Sequence, residues 1–212
     1  LYHLLAGNEF QEALKHYRAV NAKTPREDLD MLIVQALFRL GRGSEADAEL
    51  ARAVNQRPDS PGLRQLYADR LSTLGKPDEA VKHYEFLLQR QSESPILLNN
   101  LASLLQDKAP ERALKLASKA NQLAPDSGAI ADTYGWILHR SGRYQESLKP
   151  LQLARDKLGG SPVVRYHLGA TLAKLGRTVD ARRELDAALA AKAPFAERDA
   201  AARLAASLKI AK

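Results

Sequence analysis

The sequence predicts an all-α solenoid of stacked helix-turn-helix units, and a regular repeat is the main reason. A short segment that ends in a small residue recurs every 33 or 34 residues, with last positions at Ala13, Ala46, Ala80, Ala113, Ser147 and Ala181. Glycine opens most of these segments, and prolines punctuate the junctions between units, as helix ends and helix first turns prefer. Apolar residues recur at helical spacing, and no stretch alternates at period two. A repeat of this length is typical of solenoids, in which each unit buries its apolar face against its neighbours.

The period sets the expected boundaries of each unit along one solenoid that spans residues 1–212. They are a partial repeat at 1–25, full repeats at 26–59, 60–94, 95–127, 128–161 and 162–194, and a capping helix at 195–212. The partial repeat is expected to hold the end of a first helix, Leu1–Ala6, and then a whole second helix. That start inside a repeat predicts that further repeats precede Leu1.

The tail is expected to cap the last repeat with one apolar face and one solvated face. The apolar face comprises Ala201, Leu204, Ala205 and Leu208, and the outer face carries Arg198, Arg203 and Lys209. The junction prolines at residues 25, 58, 95, 125, 162 and 194 are expected in the first turn of the helix that follows each of them.

Composition narrows the class of protein. Hydrophobic residues make up 45% and charged residues 27% of the chain, which is normal for a folded globular protein. No apolar run approaches the roughly 20 residues that a membrane helix needs. Cysteine is absent, which excludes disulfides, thiolate nucleophiles and cysteine-ligated zinc, and which is compatible with an oxidising compartment.

The positive charge is concentrated in the C-terminal third, where residues 139–212 carry a net charge of +8 against +7 for the whole chain. Such an excess of cations favours an anionic partner, such as an acidic protein or lipid headgroups. The alternative interpretation is a solvated helical surface. No basic stripe interleaved with aromatic residues accompanies the charge, which argues against nucleic acid as the partner.

Motifs for chemistry are absent from the sequence. Gly41–Ala46 has the letters of a dinucleotide-binding loop, but a helix precedes it where that motif requires a strand. No two histidines have the spacing of a helical metal pair, and no nucleophile-elbow sequence occurs. The carboxylates of Glu27, Asp28 and Asp30 fall at a helix start, where they favour the helix dipole. We therefore predict a protein with no catalytic, cofactor-binding or metal-binding residues.

The small residues of each unit resemble those of the tetratricopeptide-repeat (TPR) family, which implies a right-handed α-solenoid. Glycine or alanine lies midway along the first helix, at Ala68, Ala102, Gly135 and Gly169, and alanine lies near the end of the second, at Ala53, Ala120, Ala154 and Ala188. Three positions depart from the pattern. Val34 and Leu87 stand where smaller residues are usual and predict looser packing, and the turn at residues 107–110 lacks one residue, which predicts a local distortion.

The resemblance also implies that the first helix of each repeat lines a concave groove that binds a protein or peptide. The predicted groove residues are Gln65, Asp69, Asn99, Asn100, Ser103, Asp132, Trp136, His139, Arg140, Tyr166, His167 and Lys174, and the same face of the second unit carries Met31, Gln35 and Phe38. An amphipathic aromatic beside hydrogen-bonding groups is typical of a binding hot spot, which favours Trp136 as its centre. The alternative is that Trp136 packs between repeats as core.

One ligand class of the family is rejected on the residues. TPR domains that bind chaperone C-terminal tails use a clamp of Lys and Arg beside Asn in the groove. Asn99 and Asn100 match part of that pattern, but the flanking first helices supply Gln65, Asp69 and Asp132 in place of cations. The clamp is therefore incomplete.

A narrower resemblance covers roughly residues 95–194. Asn99–Ala102, Leu123–Ser127, Asp132–Leu138, Gly142–Leu148 and Tyr166–Gly169 are similar to the C-terminal repeats of large bacterial TPR lipoproteins that accompany exosortase (PEP-CTERM) and exopolysaccharide secretion systems. The likeness implies a non-catalytic scaffold that faces the periplasm, with membrane attachment only through an anchor upstream of this sequence. The alternatives are a cytoplasmic regulatory or chaperone-type adaptor, or the TPR region of a larger glycosyltransferase.

Overall fold

The computed structural model describes residues 2–208, and the side chains of residues 9–208. Over this range the chain is helical and contains no strand. The helices are α1 (Tyr2–Lys23), α2 (Glu27–Arg39), α3 (Gly43–Gln56), α4 (Pro61–Thr73), α5 (Pro77–Arg90), α6 (Pro95–Leu105), α7 (Pro110–Leu123), α8 (Gly128–Arg140), α9 (Tyr144–Lys157), α10 (Pro162–Lys174), α11 (Thr178–Ala190) and α12 (Arg198–Ser207). The architecture is all-α and repeats the helix-turn-helix pair that the sequence predicts.

The repeat predicts one solenoid over residues 1–212. In the structure the helices group into two compact units. The N-terminal unit ends at Arg90 and contains α1 to α5, and the C-terminal unit begins at Gln91 and contains α6 to α12. Each range that the sequence assigns to a full repeat contains two helices, from the α2–α3 pair to the α10–α11 pair. Within each unit, consecutive helices pack against one another.

The first helix differs from the sequence prediction. One continuous helix runs from Tyr2 to Lys23, whereas the prediction divided this stretch between the end of one helix and the whole of another. Gly7 and Asn8, the expected turn, are helical. A glycine inside a helix costs only about 1 kcal/mol relative to alanine, which an uninterrupted hydrogen-bond ladder offsets. Leu1, part of that predicted segment, lies outside the described residues.

Four of the turns between helices contain a glycine that terminates the preceding helix. The backbone of this glycine adopts the left-handed conformation. Gly41, Gly75, Gly142 and Gly176 have φ between 71° and 76°. In each case the next residue donates its backbone N–H back to the carbonyl five residues earlier, as Arg42 does to Leu37 at 2.9 Å. The turn after α6 lacks such a glycine, and there Ala109 N–H donates to Leu105 O at 2.8 Å. The shortened turn therefore closes by a different hydrogen bond.

The junction prolines behave as predicted at only two positions. Pro95 and Pro162 are the first residues of α6 and α10, but the prolines at 25, 58, 125 and 194 lie in the preceding connections. Pro61, Pro77 and Pro110 begin α4, α5 and α7 in their place. Serine caps accompany three of the prolines that start helices, those of α4, α6 and α10, as where Ser60 Oγ accepts the backbone N–H of Leu63 at 3.1 Å. Pro77 and Pro110 start their helices after Lys76 and Ala109, which are not capping residues of this kind.

Small residues hold the two helices of each pair in close contact. Ala46, Ala80, Ala113, Ser147 and Ala181 are all fully buried at the start of their second helices. Gly135 and Gly169 lie where α8 crosses α9 and where α10 crosses α11, so a Cβ atom at Gly135 would lie 2.6 Å from Leu151 Cγ. The pairs that carry Val34 and Leu87 are in less extensive contact than these glycine-containing pairs. Both of those larger side chains are nevertheless buried.

Helix α12 covers the last repeat in the manner of a cap. Ala201 and Ala205 are buried against Leu185, while Leu204 and Leu208 pack on the same cluster. The guanidinium of Arg198 donates to the Leu189 and Ala191 carbonyls at 2.7 and 3.2 Å, which satisfies the C-terminal end of α11. Arg203 is exposed as predicted, and Lys209, with the rest of the predicted cap to residue 212, lies outside the described residues.

Asp30 lies in the first turn of α2, as predicted, and it also makes contacts outside its own helix. Its side chain is only 1% exposed, and it pairs with the guanidinium groups of Arg52 and Arg57 from α3 and the loop after it. Asn21 of α1 donates to its Oδ1 at 2.8 Å. Asp30 therefore joins three successive segments of the N-terminal unit. Glu27 and Asp28 share that first turn and are more exposed than Asp30.

Candidate functional site

The C-terminal unit brings five predicted groove residues into one cluster, which we call the Trp136 cluster: Asp132, Trp136 and His139 on α8, and Tyr166 and His167 on α10. The indole of Trp136 stacks on His167 at 4.0 Å between ring centroids and on His139 at 4.6 Å, with interplanar angles of 12° and 10°. The ring of Tyr166 lies 5.7 Å from the indole. These contacts join the first helices of two adjacent repeats.

Helical geometry explains why these five side chains meet. Residues 132, 136 and 139 lie three and four positions apart, which places them on one face of α8, and residues 166 and 167 begin the matching face of α10. Trp136 is half-buried and His167 is buried. The sequence left two interpretations of Trp136, a binding residue of the groove and a core residue between repeats. Trp136 has features of both, because its ring packs between repeats and still reaches the surface.

Hydrogen bonds fix both imidazoles through Nδ1. His167 Nδ1 lies 2.9 Å from Asp132 Oδ1, so it carries the proton that the carboxylate accepts. Thr171 donates its hydroxyl to the His167 carbonyl at 3.0 Å, and its oxygen can therefore only accept from His139 Nδ1, 2.9 Å away. In the neutral His139 ring the Nε2 atom is then a hydrogen-bond acceptor.

His139 is neutral over the physiological range. Burial, together with the smaller effect of the neighbouring His167, Lys174 and Arg140, lowers the pKa of His139 from its ordinary 6.5 to about 4. A neutral ring in this position accepts a hydrogen bond from a ligand and adds no charge.

The depressed pKa of His139 predicts a pH-dependent stability. Because the unfolded chain binds this proton near pH 6.5 and the folded chain only near pH 4, stability present above pH 6.5 is lost as the pH falls toward 4. Since His139 is only partly buried, we expect a loss on the order of 1 kcal/mol.

Urea unfolding at a series of pH values measures this loss. His139→Asn keeps a donor for Thr171 but has no group that titrates in this range, so the difference between wild type and variant isolates the His139 contribution. That difference should change across the interval between pH 6.5 and 4. A difference that stays constant with pH would contradict the assignment.

Two buried hydroxyls support the cluster from below. The Thr171 hydroxyl lies 2.9 Å from His139 Nδ1 and 3.3 Å from the Ser147 hydroxyl, and both residues are fully buried. Sequence reasoning missed these two supporting residues. Ser147 could have been singled out from the sequence, because it is the one serine at a position where the other repeats have alanine.

The other predicted groove residues of this unit lie on α6, α8 and α10. Lys174 is exposed and close enough to influence the pKa of His139. Arg140 is exposed and pairs with Asp107 in the turn after α6. On α6, Ser103 is exposed, and Asn99 Nδ2 donates to Asn100 Oδ1 at 3.4 Å. The Asn99 Oδ1 atom is buried without a hydrogen-bond partner among the residues described.

Two predicted groove residues, Gln65 and Asp69, belong to the N-terminal unit. Both are half-buried on α4, and the hydroxyl of the buried Tyr84 on α5 donates to Asp69 Oδ1. Asp69 thus has a partner inside its own repeat.

Much of the positive charge of the C-terminal third is paired locally. Arg143 pairs with Glu146, Arg177 with Asp180, and Arg182 with Asp186, each within one turn of helix. The buried carboxylate of Glu184 accepts from Arg165 at 2.8 Å. The anionic partner therefore stays a prediction, and the cations left for it include Lys174.

Neither a metal site nor a membrane-spanning helix occurs in the part of the chain that the structure describes. Among residues 2–208 no group of three or more His, Cys, Asp or Glu side chains is placed to hold a metal ion. None of the helices described there is long and apolar enough to cross a membrane.

Comparison with known proteins identifies the family. Two family models, both of the tetratricopeptide repeat, match residues 4–69 and 68–128, which together make up more than half of the chain. The chain belongs to the TPR family. A TPR repeat-containing protein of Pseudomonas aeruginosa is 26% identical over 173 residues, which cover 78% of this chain and 29% of the relative. The chain thus spans less than a third of that protein.

Solved TPR structures share the fold. A tetratricopeptide repeat protein from Parabacteroides merdae superimposes with a TM-score of 0.72 at 17% identity, covering 100% of this chain and 91% of the other. YrrB, described as a TPR protein with an unusual peptide-binding site, superimposes with a TM-score of 0.64 at 18% identity, covering 85% of this chain and 94% of YrrB. TPR proteins generally mediate protein–protein interactions, and these likenesses concern the fold alone.

Proposed function

We propose that the chain is a non-catalytic scaffold that binds a protein or peptide segment on the first-helix face of its C-terminal unit. The observation that carries the proposal is the Trp136 cluster, in which a half-buried tryptophan and two oriented imidazoles join adjacent repeats. Partly buried aromatics beside fixed polar groups are the typical anchors of protein interfaces.

The chemistry of the cluster indicates what a bound segment would supply. The indole of Trp136 stacks within the protein, so its main role is to hold the imidazoles, and its remaining surface and Tyr166 offer apolar contact. His139 Nε2 accepts a hydrogen bond, for which a peptide N–H or a side-chain amide is suited. Lys174, an exposed cation close to His139, favours a segment with acidic residues. The unusual peptide-binding site described for YrrB, which shares the fold, supports a peptide as the ligand class.

We further propose that this scaffold works in the envelope of a Gram-negative bacterium, facing the periplasm, in an exosortase-type or exopolysaccharide secretion system. The support is the resemblance of residues 95–194 to TPR lipoproteins of those systems, together with a bacterial relative and a sequence without cysteine. Attachment to the membrane would come from a lipid anchor upstream of Leu1.

Pull-downs from separate envelope and cytosolic extracts test the proposal. The wild type should capture a partner from the envelope extract, and a His139→Asn/Lys174→Ala double variant should lose it, because the double variant lacks the acceptor and the Lys174 cation but keeps the Thr171 hydrogen bond. Lys149→Ala, an exposed lysine of α9, is the matched control and should capture the partner as the wild type does.

Two results would count against the proposal. Equal capture by the double variant would move the binding surface away from the Trp136 cluster. A partner found only in the cytosolic extract would contradict the envelope assignment and leave a cytoplasmic adaptor.

A further inference from the structure

We propose that the C-terminal unit carries a further binding site, for the phosphate monoester group of a small organic molecule. The site is a pocket of about 530 Å³ on α7, the second helix of its repeat, and we call it the Lys115 pocket. Its polar lining comprises Lys115, Ser118, Lys119 and Gln122 of α7, Tyr134 of α8, and Arg143, which precedes α9. The pocket shares no residue with the Trp136 cluster, so the inference goes beyond the proposed function.

The pocket follows from the spacing of residues along α7. The polar residues that α7 supplies lie three and four positions apart and so share one face of the helix, whereas the three buried alanines of α7 occupy the opposite face. Tyr134 of the next repeat and Arg143 after α8 supply the rest of the polar lining. Two successive repeats therefore build the pocket, on the side of α7 away from its buried alanines.

The cations of the pocket keep N–H groups that a ligand can use. The side chain of Lys115 is exposed and forms no ion pair or hydrogen bond with any residue in the described range. Lys119 donates one N–H to the Ser92 carbonyl at 3.1 Å, which leaves two of its three ammonium protons. Arg143 pairs with Glu146 through Nε at 2.7 Å and through Nη2, so its Nη1 group stays open among the residues described.

No carboxylate neutralises the two lysines of the pocket. None of the lining residues is acidic, and Glu146 compensates the charge of Arg143. Three other carboxylates belong to the surroundings: Glu111 lies one turn before the first lining lysine, and Glu93 and Asp126 lie in the connections before α6 and after α7. All three are exposed, and within residues 9–208 none of them forms an ion pair with a lining lysine. Water screens their effect, and the lysine charges are open to an anion.

The donors of the pocket match a phosphate monoester better than a carboxylate. Near pH 7 a phosphate monoester carries a charge of about −1.5 to −2 and three strong acceptor oxygens. The two ammonium groups compensate that charge, and the Ser118 and Tyr134 hydroxyls and the Gln122 amide are further donors for the oxygens. A carboxylate brings less charge and fewer oxygens, so several of these donors would stay unpaired.

The size and the apolar part of the pocket indicate that the phosphate is attached to an organic group. A volume of about 530 Å³ lies within the range of small-molecule sites and is far larger than a single phosphate ion. Leu114 also lines the pocket, and the ring of Tyr134 is half-buried there. These two side chains offer contact to the group that carries the phosphate. A soluble organic phosphate and a lipid headgroup share this chemistry.

The experiment is a titration of the ¹⁵N-labelled whole chain with three small anions. Phenyl phosphate is a phosphate monoester with an aromatic group, inorganic phosphate lacks that group, and benzoate has a carboxylate in place of the phosphate. We expect phenyl phosphate to shift the Ser118 and Gln122 amide resonances to saturation, and the other two anions to bind about tenfold more weakly. The indole resonance of Trp136 should stay in place with all three.

Charge reversal at Lys115 is the sharpest variant. Lys115→Glu should weaken the binding of phenyl phosphate about tenfold or more, and Lys115→Arg should keep it, because arginine keeps the positive charge. Since Lys115 is exposed and unpaired within the described range, both variants should fold as the wild type does. Lys82→Glu, an exposed lysine of α5, is the matched control and should bind phenyl phosphate as the wild type does.

Lipid vesicles distinguish the two sources of the phosphate. Phosphatidic acid presents a phosphate monoester at a membrane surface, and phosphatidylcholine does not. Sedimentation with phosphatidic acid vesicles alone, lost in Lys115→Glu, would assign the pocket to a lipid headgroup. Binding of phenyl phosphate without sedimentation would assign it to a soluble organic phosphate. Both results support the Lys115 pocket as a phosphate monoester site.

Four results would overturn the inference. They are unshifted Ser118 and Gln122 resonances with phenyl phosphate, equal binding of phenyl phosphate and benzoate, which would indicate an acidic peptide, unchanged binding by Lys115→Glu, and a response confined to the Trp136 indole, which would place the anion at the Trp136 cluster. None of the first three affects the proposed function, because Lys115→Glu should capture the envelope partner as the wild type does.

Discussion

Replacing Gly135 by leucine is expected to lower the free energy of unfolding by about 3 kcal/mol. A Cβ atom at this position would lie 2.6 Å from Leu151 Cγ and 3.2 Å from the Leu151 backbone nitrogen. The side chain of Leu151 is fully buried and cannot move aside, and its backbone belongs to α9, so the α8–α9 pair would have to separate. Urea unfolding followed by circular dichroism measures the loss.

Alanine at the same position makes the test stricter. Gly135→Ala gains helix propensity worth about 1 kcal/mol, so a net loss of stability isolates the steric contact. Gly43→Ala is the matched control, because its Cβ would meet only Arg70 Nη2 at 3.9 Å at the start of α3. Ala113→Leu, at a fully buried position in α7, should destabilise in the same direction as Gly135→Leu. Unchanged stability of both leucine variants would contradict the close contacts assigned to Gly135 and Ala113.

The second large effect is expected at Asp30, where replacement by alanine should cost about 3 kcal/mol of stability. The change removes a carboxylate that is 1% exposed and leaves the guanidinium of Arg57, itself only 22% exposed, without its partner. It also leaves the Asn21 amide without an acceptor inside the unit. Breaking a buried ion pair from one side costs more than the pair contributes, because one charge stays behind.

Thermal and urea unfolding of Asp30→Ala and Asp30→Asn test this explanation. Asp30→Asn keeps an oxygen for Asn21 but loses the charge, so it should be intermediate between wild type and Asp30→Ala. Asp28→Ala, two residues earlier, is the matched control and should unfold as the wild type does, since its ion pair with Arg26 is exposed. Equal stability of all three variants would show that Asp30 does not join the segments of this unit.

The helix pairs were predictable because the signals that define them are local. A glycine at a helix end, a small residue where two helices cross and apolar spacing near four residues all lie within one repeat. The continuous helix α1 was not predictable from such signals, since Gly7 alone does not decide between a turn and a helix. Asp30 shows the same limit, because its partners Asn21 and Arg57 come from elements on either side of its own helix.

The sequence predicted which residues of the candidate site share a helix face. It did not predict the hydrogen bonds that connect them. Helical phase placed Asp132, Trp136 and His139 on one side of α8, and they do meet Tyr166 and His167 there. The hydrogen bond from His139 to Thr171 depends on how α8 approaches α10, which no residue spacing within one helix specifies.

Site-specific photo-crosslinking in bacterial envelope extract tests the central claim most directly. The photoreactive residue benzoylphenylalanine would replace Ser103 and Lys174, two exposed residues on the first-helix face of the C-terminal unit, and Lys149 on the second helix α9. The account predicts that the same partner is crosslinked from Ser103 and Lys174 and not from Lys149. Crosslinks from Lys149 alone would contradict binding at the first-helix face.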